Sequence, residues 1–264
     1  MARNKNVPRM LCRLVVFSMC VFITECRRTK RVIGGDEVAC VLSFSKGTQI
    51  RVASLRNSSN SQHLCGATIL TYNNALTAAH CVNNEPEDYY LQLNNYCNEG
   101  NHVPKATIIN VVKHDQYKIL SHVHDIAVLR IKLNFIGEIF DGSIIPSTSF
   151  GVSGKCTIYG YGNRDALNKG TTESLHSAEV KLISLDECTT SLGPYVAPKA
   201  DSGMICAIGD GVDACQGDSG GPLICNGYIQ GLSSYGLGCN VPKMPGVYTS
   251  VGAHLKWLKT ICDI

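Results

Sequence analysis

The sequence predicts an all-β fold, a sandwich or barrel of many short strands closed by one C-terminal helix. Apolar runs of four to seven residues recur at close spacing along the chain. Glycine is frequent at 25 residues, and Gly, Asn, Ser or Pro stand near most of these runs, as tight turns require. A helical period is convincing only at the C-terminus.

Taken in order, examples of the predicted strands are Ile50–Leu55, Ala67–Tyr72, Tyr89–Leu93, Ala106–Val112, Ala127–Ile131, Lys155–Tyr159, Glu179–Ile183, Pro222–Cys225 and Tyr228–Leu232. Such a series fits a sandwich or barrel. Val251, Leu255, Leu258 and Ile261/Cys262 then recur at helical spacing, with Lys256 and Lys259 off that face. This predicts a helix over about 251–262, packed on the barrel in a structural role. A chain of 264 residues with 44% hydrophobic content supports one large core or two small ones.

The N-terminal stretch differs from the rest. Arg3, Lys5, Arg9 and Arg13 precede the apolar run Leu14–Ile23, which ends at Thr24-Glu25-Cys26. This layout predicts a removable signal peptide over 1–26 and a secreted, extracellular product. Ten residues at about 1.5 Å rise are too short for a bilayer core of about 30 Å, so no membrane partner is expected. Eight of the 24 Lys/Arg but one of the 21 Asp/Glu lie in residues 1–31, leaving 16 against 20, a balance of −4. Composition therefore gives no case for nucleic acid. Fourteen cysteines, with no CxxC pair, predict disulfides rather than a metal site. Asn57-Ser58-Ser59 is a sequon on a polar loop, where a secreted chain can carry a glycan.

A serine hydroxyl attacks a carbonyl only with a base to take its proton, a carboxylate to orient that base, and donors for the oxyanion. Ser219, in Gly217-Asp218-Ser219-Gly220-Gly221-Pro222, is the candidate nucleophile. Its glycines permit a sharp turn and close approach of substrate, and the N–H groups of Gly217 and Ser219 can face one point as an oxyanion hole. A bare Asp-Ser-Gly would be a plain turn; the six-residue string is far more specific. His80, in Thr77-Ala78-Ala79-His80-Cys81, is the candidate base. The other histidines (63, 102, 114, 122, 124, 176 and 254) have no comparable surroundings and read as surface or structural. Asp125, at the mouth of the apolar run after His124, is the candidate orienting carboxylate. Alone it would be a solvated strand-start Asp; buried, it needs donors, and the His80 imidazole is one.

TAAHC, DIAVLR and GDSGGP, in that order, resemble the chymotrypsin/trypsin family of serine proteases, whose chain order is also His, Asp, Ser. The resemblance spans Val32 to about Ile261. It implies two packed six-stranded antiparallel β-barrels with a C-terminal helix. The barrels would occupy about 32–135 and 136–250 within a peptidase domain over 32–264. His80 and Asp125 would come from the first barrel and Ser219 from the second. Ser219 would be nucleophile, His80 base and then acid, Asp125 the orienter, and Ser234 a donor to Asp125 that also pairs with substrate backbone. The resemblance further makes Asp213 the floor of the pocket for the residue before the cleaved bond (P1). Gly236 and Gly246 match its walls, which implies cleavage after Arg or Lys. Arg31 before Val32-Ile33-Gly34-Gly35 looks like the family's zymogen junction, closing an activation peptide over 27–31. The freed Val32 ammonium would pair with Asp218. Both self-cleavage and a convertase fit Arg31, and proteinaceous inhibitors join substrates and activator as expected partners.

The resemblance also implies four disulfides, Cys65–Cys81, Cys156–Cys225, Cys188–Cys206 and Cys215–Cys239, and no cofactor. Cys40, Cys97 and Cys262 are left over, and a Cys40–Cys97 bridge with Cys262 free is the expected arrangement. Val38 and Ser177 stand where trypsins commonly carry cysteines, and Tyr161 and Tyr235 replace usual tryptophans. The stretch matching the family's calcium loop, Leu93 to His102, offers only Glu99, so no metal is expected. No adaptor domain is expected in the leader. A catalytically dead binding homologue would lack Ser, His or Asp, and all three are present. Asp213 argues against chymotrypsin-like or elastase-like specificity. An enzyme with one narrow target stays open, because loops set narrowness.

Overall fold

The computed structural model of the chain describes residues 35–39, 51–93, 103–134, 142–147, 154–162, 173–239, 241–262 and 264. Two closed antiparallel barrels carry the fold. In the first, β2 (Val52–Asn57), β3 (His63–Thr71), β4 (Asn74–Thr77), β5 (Tyr89–Gln92), β6 (Lys105–Lys113) and β7 (Ala127–Leu133) close in the order β2-β3-β4-β7-β6-β5. In the second, β8 (Lys155–Gly160), β9 (His176–Ile183), β10 (Met204–Ile208), β11 (Pro222–Cys225), β12 (Tyr228–Tyr235) and β13 (Gly246–Ser250) close through the pairing of β8 with β9. β1 (Asp36–Glu37) crosses over to pair with β9 of the second barrel, Asp36 opposite Ser177. The two six-stranded barrels are as the resemblance implies.

Strand periodicity explains how the barrels fill and meet. Along β7, Ala127, Leu129 and Ile131 point into the first barrel, where they join Leu55, Ile69 and Leu91. Val128, on the opposite face, joins Leu70, Leu76 and Ile126 against Ile229 and Leu232 of the second barrel. Side chains alternate across a strand, so a run apolar on both faces packs one core inside and one between the barrels. α2 (Leu255–Cys262) buries Leu258 and Cys262 in that shared cluster, with Lys256 and Lys259 exposed. The predicted helix over 251–262 is thus present, its first turn being 3₁₀ at Gly252–His254.

One sequence expectation needs correction. The chain has a second helix, α1 (Leu185–Leu192), where none is predicted. Its composition is polar, and Cys188 and Leu192 are its buried residues, so no apolar period marks it. A local signal was legible: Ser184 and Glu187 form a reciprocal capping box, satisfying N–H groups at the helix start. Beyond the nine strands named from the sequence, the fold has four more: β1, β4, β10 and β13. All have five residues or fewer, and β4 and β13 open on the weak strand formers Asn and Gly.

Candidate active site

His80 lies in a 3₁₀ turn, Ala79–Cys81, that follows β4 and is tied to β3 by the Cys65–Cys81 disulfide. Asp125 is fully buried just before β7. The His80 backbone N–H donates to Asp125 Oδ1 at 2.9 Å, and His80 Nδ1 donates to Oδ2 at 2.6 Å. Ser234, on β12, donates its hydroxyl to Oδ2 at 2.6 Å, and His122 Nδ1 lies 3.3 Å from the same oxygen. Burial alone would raise this carboxyl. The bonds from His122 and His80, the His80 charge and the Ser234 bond outweigh it and hold Asp125 well below the usual carboxylate range. An ionised carboxylate only accepts, so it fixes a His80 proton on Nδ1, facing Asp125.

Ser219 sits on a turn of the second barrel that presses against the first. Gly66 N–H donates to Ser219 O at 2.7 Å, and Cys81 Sγ lies 3.8 Å from that oxygen. Glycine is required at this contact: a Cβ on Gly220, whose φ is +76°, would lie 2.3 Å from Thr77 Oγ1 and 2.5 Å from Gly66 O. The N–H groups of Gly217 and Ser219 donate to no acceptor among the described residues. Gly217 O accepts from His63 Nε2 at 2.7 Å. A carbonyl only accepts, so Nε2 carries the His63 proton and Nδ1 accepts the Ser54 hydroxyl at 2.7 Å. Burial lowers His63 to about 4, which keeps the ring neutral in this relay.

Asp218 is buried beside Ser219, accepting N–H bonds from Gly162 and Cys215, both at 2.8 Å. No cation pairs with it among the described residues, and burial pushes its carboxyl up to about 7. Next to Ser219 opens a pocket with about 240 Å³ of room, lined by Asp213, Ser234, Gly236 and Gly246. Gly236 and Gly246 face each other, since a Cβ on Gly236 would lie 4.0 Å from Gly246 Cα. The Cys215–Cys239 disulfide ties the segment carrying Asp213 to the loop beyond Gly236, while Cys156–Cys225 and Cys188–Cys206 brace the second barrel. Tyr235 stands on the pocket rim, its hydroxyl bonded to Val196 O at 3.1 Å. Tyr161 is fully buried and donates to Val52 O.

The structure thus places Asp213, Ser219, Ser234, Gly236 and Gly246 on one pocket, joins Asp125 and His80 to it through the Ser234 hydroxyl, and puts Gly217 and Asp218 on the turn that carries Ser219. Arg31 and Val32, the signal segment, Cys40 and Cys97, and residues 94–102 of the expected calcium stretch lie outside the described residues. Cys262 is buried. The sequence reading missed two histidines at the site. His63 and His122 read there as surface or structural, yet one holds Gly217 and the other reaches Asp125. His122 falls three residues before Asp125, a spacing that could have flagged it; His63 had no local signal. Thr249, whose hydroxyl donates to the Asp125 backbone carbonyl at 2.9 Å, was also unmarked.

A family model described as Trypsin matches residues 43–258. Kallikrein-8 of Mus musculus is 31% identical over 208 residues, covering 76% of this chain and 77% of the relative. Trypsin delta of Drosophila erecta is 33% identical over 201 residues, covering 74% and 78%. Among solved structures, mouse neuropsin, described as a serine protease expressed in the limbic system of the brain, is similar. It superposes with a TM-score of 0.70 at 28% identity, covering 86% of this chain and 97% of its own.

Proposed function

From the premise that the chain belongs to the trypsin family and is a serine endopeptidase, we propose that it cleaves after Arg or Lys with His80, Asp125 and Ser219 as its triad. The observation that carries this reading is the pocket beside Ser219, where Asp213 and the glycines Gly236 and Gly246 leave a slot for a long side chain. A carboxylate in such a slot pairs with guanidinium or ammonium and is left unpaired by apolar side chains.

Ser219 Oγ attacks the scissile carbonyl while its proton passes to His80 Nε2. The tetrahedral oxyanion takes the N–H groups of Gly217 and Ser219, which have no acceptor among the described residues. His80 then protonates the leaving amine, and a water deprotonated by the same imidazole releases the acyl group. The His80–Asp125 bond supports this role, because it leaves Nε2 unprotonated.

The chain is made with a signal peptide over 1–26, secreted, and held as a zymogen until an activating protease cuts after Arg31 in the 27–31 peptide. Asp218, buried with no cation beside it among the described residues, supports this step, since a carboxyl raised by burial gains most from an incoming Val32 ammonium. The peptidase domain then runs from 32 to 264. The test takes protein cut after Arg31 and compares hydrolysis of peptides with Arg, Lys, Phe or Ala before the cleaved bond, with Ser219→Ala as control. Turnover of Arg and Lys peptides alone, absent in the control, is expected. No turnover in folded, cut protein would move the weight to a binding homologue.

A further inference from the structure

Outside the triad, three imidazoles from distant parts of the chain converge: His114 just after β6, His124 one residue before Asp125, and His254 in the turn before α2. We propose that His114, His124 and His254 form a binding site for one divalent transition-metal ion of the zinc class, clamping the first barrel to the C-terminal segment.

The ligand atoms fit such an ion. One nitrogen from each ring lies within 4.8 Å of the other two. A four-coordinate zinc ion with Zn–N bonds of about 2.0–2.1 Å sets its nitrogens roughly 3.3–3.4 Å apart, so binding draws the three rings together and turns His114 out of its stack on His124. His124 Nδ1 and His254 Nε2 are already 2.9 Å apart. His114 stacks on His124 at 4.5 Å between centroids and meets His254 edge-on at 5.1 Å. Gly203 supplies the space: a Cβ there would lie 2.7 Å from His254 Cε1 and 3.6 Å from His124 Nδ1.

Proton placement already fits at His254, while His124 and His114 change tautomer when the ion binds. The Ser250 carbonyl accepts from His254 Nδ1 at 2.6 Å, which fixes that tautomer and turns the Nε2 lone pair inward. Holding the far ring nitrogen on a carbonyl is how metal-ligating histidines are commonly oriented. His124 Nδ1–H points at that lone pair. The ion takes the place of this proton, which moves to Nε2 of the same ring. His114 Nδ1 accepts the Gln116 N–H at 3.2 Å, so binding through Nε2 moves the ring proton to Nδ1 and gives up that long bond. A set of three imidazoles without a carboxylate suits zinc, copper or nickel rather than calcium. His114 and His124 lie on the β6–β7 loop that carries Asp125, and His254 belongs to the segment packed on both barrels.

Full-length Ser219→Ala protein, which cannot digest itself, tests the site. It is titrated with Co²⁺, read by the visible absorption of the four-coordinate ion, and with Zn²⁺ by calorimetry. One ion per chain is expected, with a rise in Tm. His114→Gln and His254→Gln should each weaken binding at least about tenfold, the lower end of what even outer-shell changes cause, while His122→Gln leaves it unchanged. Should His254→Gln fail to fold, the half-buried His114 decides alone. No bound ion would overturn the proposal. So would an ion lost with His122→Gln but indifferent to His114→Gln, since it would belong to the cluster of His80, His122 and Asp125.

Discussion

The Ser234 hydroxyl donates to Asp125 Oδ2 at 2.6 Å, reaching from β12 of the second barrel into the first. Asp125 keeps three further donors without it: two from His80 and one from His122. Ser234→Ala should therefore lower kcat/KM by less than about tenfold, since one bond to a charged acceptor is worth about 1.5–3 kcal/mol and its loss is shared here. Asp125→Asn acts differently, because its amide can donate and so fixes the wrong His80 tautomer. It should lower kcat by about 10⁴-fold, the scale of that defect in the template triad of this same family. Equal losses in the two variants would show that Ser234, not the redundancy of donors, controls the carboxylate.

Asp213 sets the second expectation. Replacing it with Ser empties the pocket floor of charge while Gly236 and Gly246 keep the walls open. Turnover of Arg peptides should fall by about 30- to 5,000-fold, equivalent to about 2–5 kcal/mol for losing one partner of a buried pair. Turnover of Phe peptides should hold or rise. A parallel loss on both substrates would mean that Asp213 supports the pocket without reading charge.

Much of this site was legible because its chemistry needs fixed strings. GDSGGP demands its glycines to lay Ser219 against Gly66, and TAAHC places His80 beside the cysteine that anchors its turn. The barrel strands were legible where apolar residues fill both faces, as at Ala127–Ile131. What escaped depends on tertiary contact. His63 is 154 residues from Gly217, so no local pattern marks their bond. β10 and β13 show no alternation of apolar and polar residues to mark them, and α1 is fixed by a cap and a disulfide rather than by an apolar face.

The pH dependence of stability follows from buried histidines. Burial lowers His63 from 6.5 to about 4 in the fold. The unfolded chain then binds more protons between these values, so the His63 contribution is complete above pH 6.5 and is lost as pH falls toward 4. His254, lowered to about 4 mainly by burial, acts in the same direction. Asp218, raised to about 7, acts oppositely, its contribution fading as pH rises through 7. Comparing His63→Gln with the parent isolates one group. On a Ser219→Ala background, urea unfolding at pH 7 and 4.5 should show a loss roughly 2–3 kcal/mol smaller in His63→Gln. An identical loss would place the His63 proton affinity near that of the unfolded chain.

Gly160 gives the sharpest steric expectation. It closes β8, and its missing Cβ is where Asp218 sits: a methyl there would lie 1.9 Å from Asp218 Oδ1 and 2.7 Å from Cγ. No rotamer adjustment elsewhere relieves that overlap, because the carboxylate is held by the Gly162 and Cys215 N–H groups and is fully enclosed. Gly160→Ala must therefore displace Asp218, and with it Ser219 and the Gly217 and Ser219 donors on the same turn. Displacing catalytic groups by about 1 Å can cost 10²-fold, so kcat/KM should fall by at least about that factor. Gly227→Ala is the control. Its φ of +82° makes the substitution strained, but no atom lies within 4 Å of the added carbon and the turn is remote from the cleft. It should lose stability and keep activity. Full activity in folded Gly160→Ala would mean that Asp218 does not hold the oxyanion turn in place.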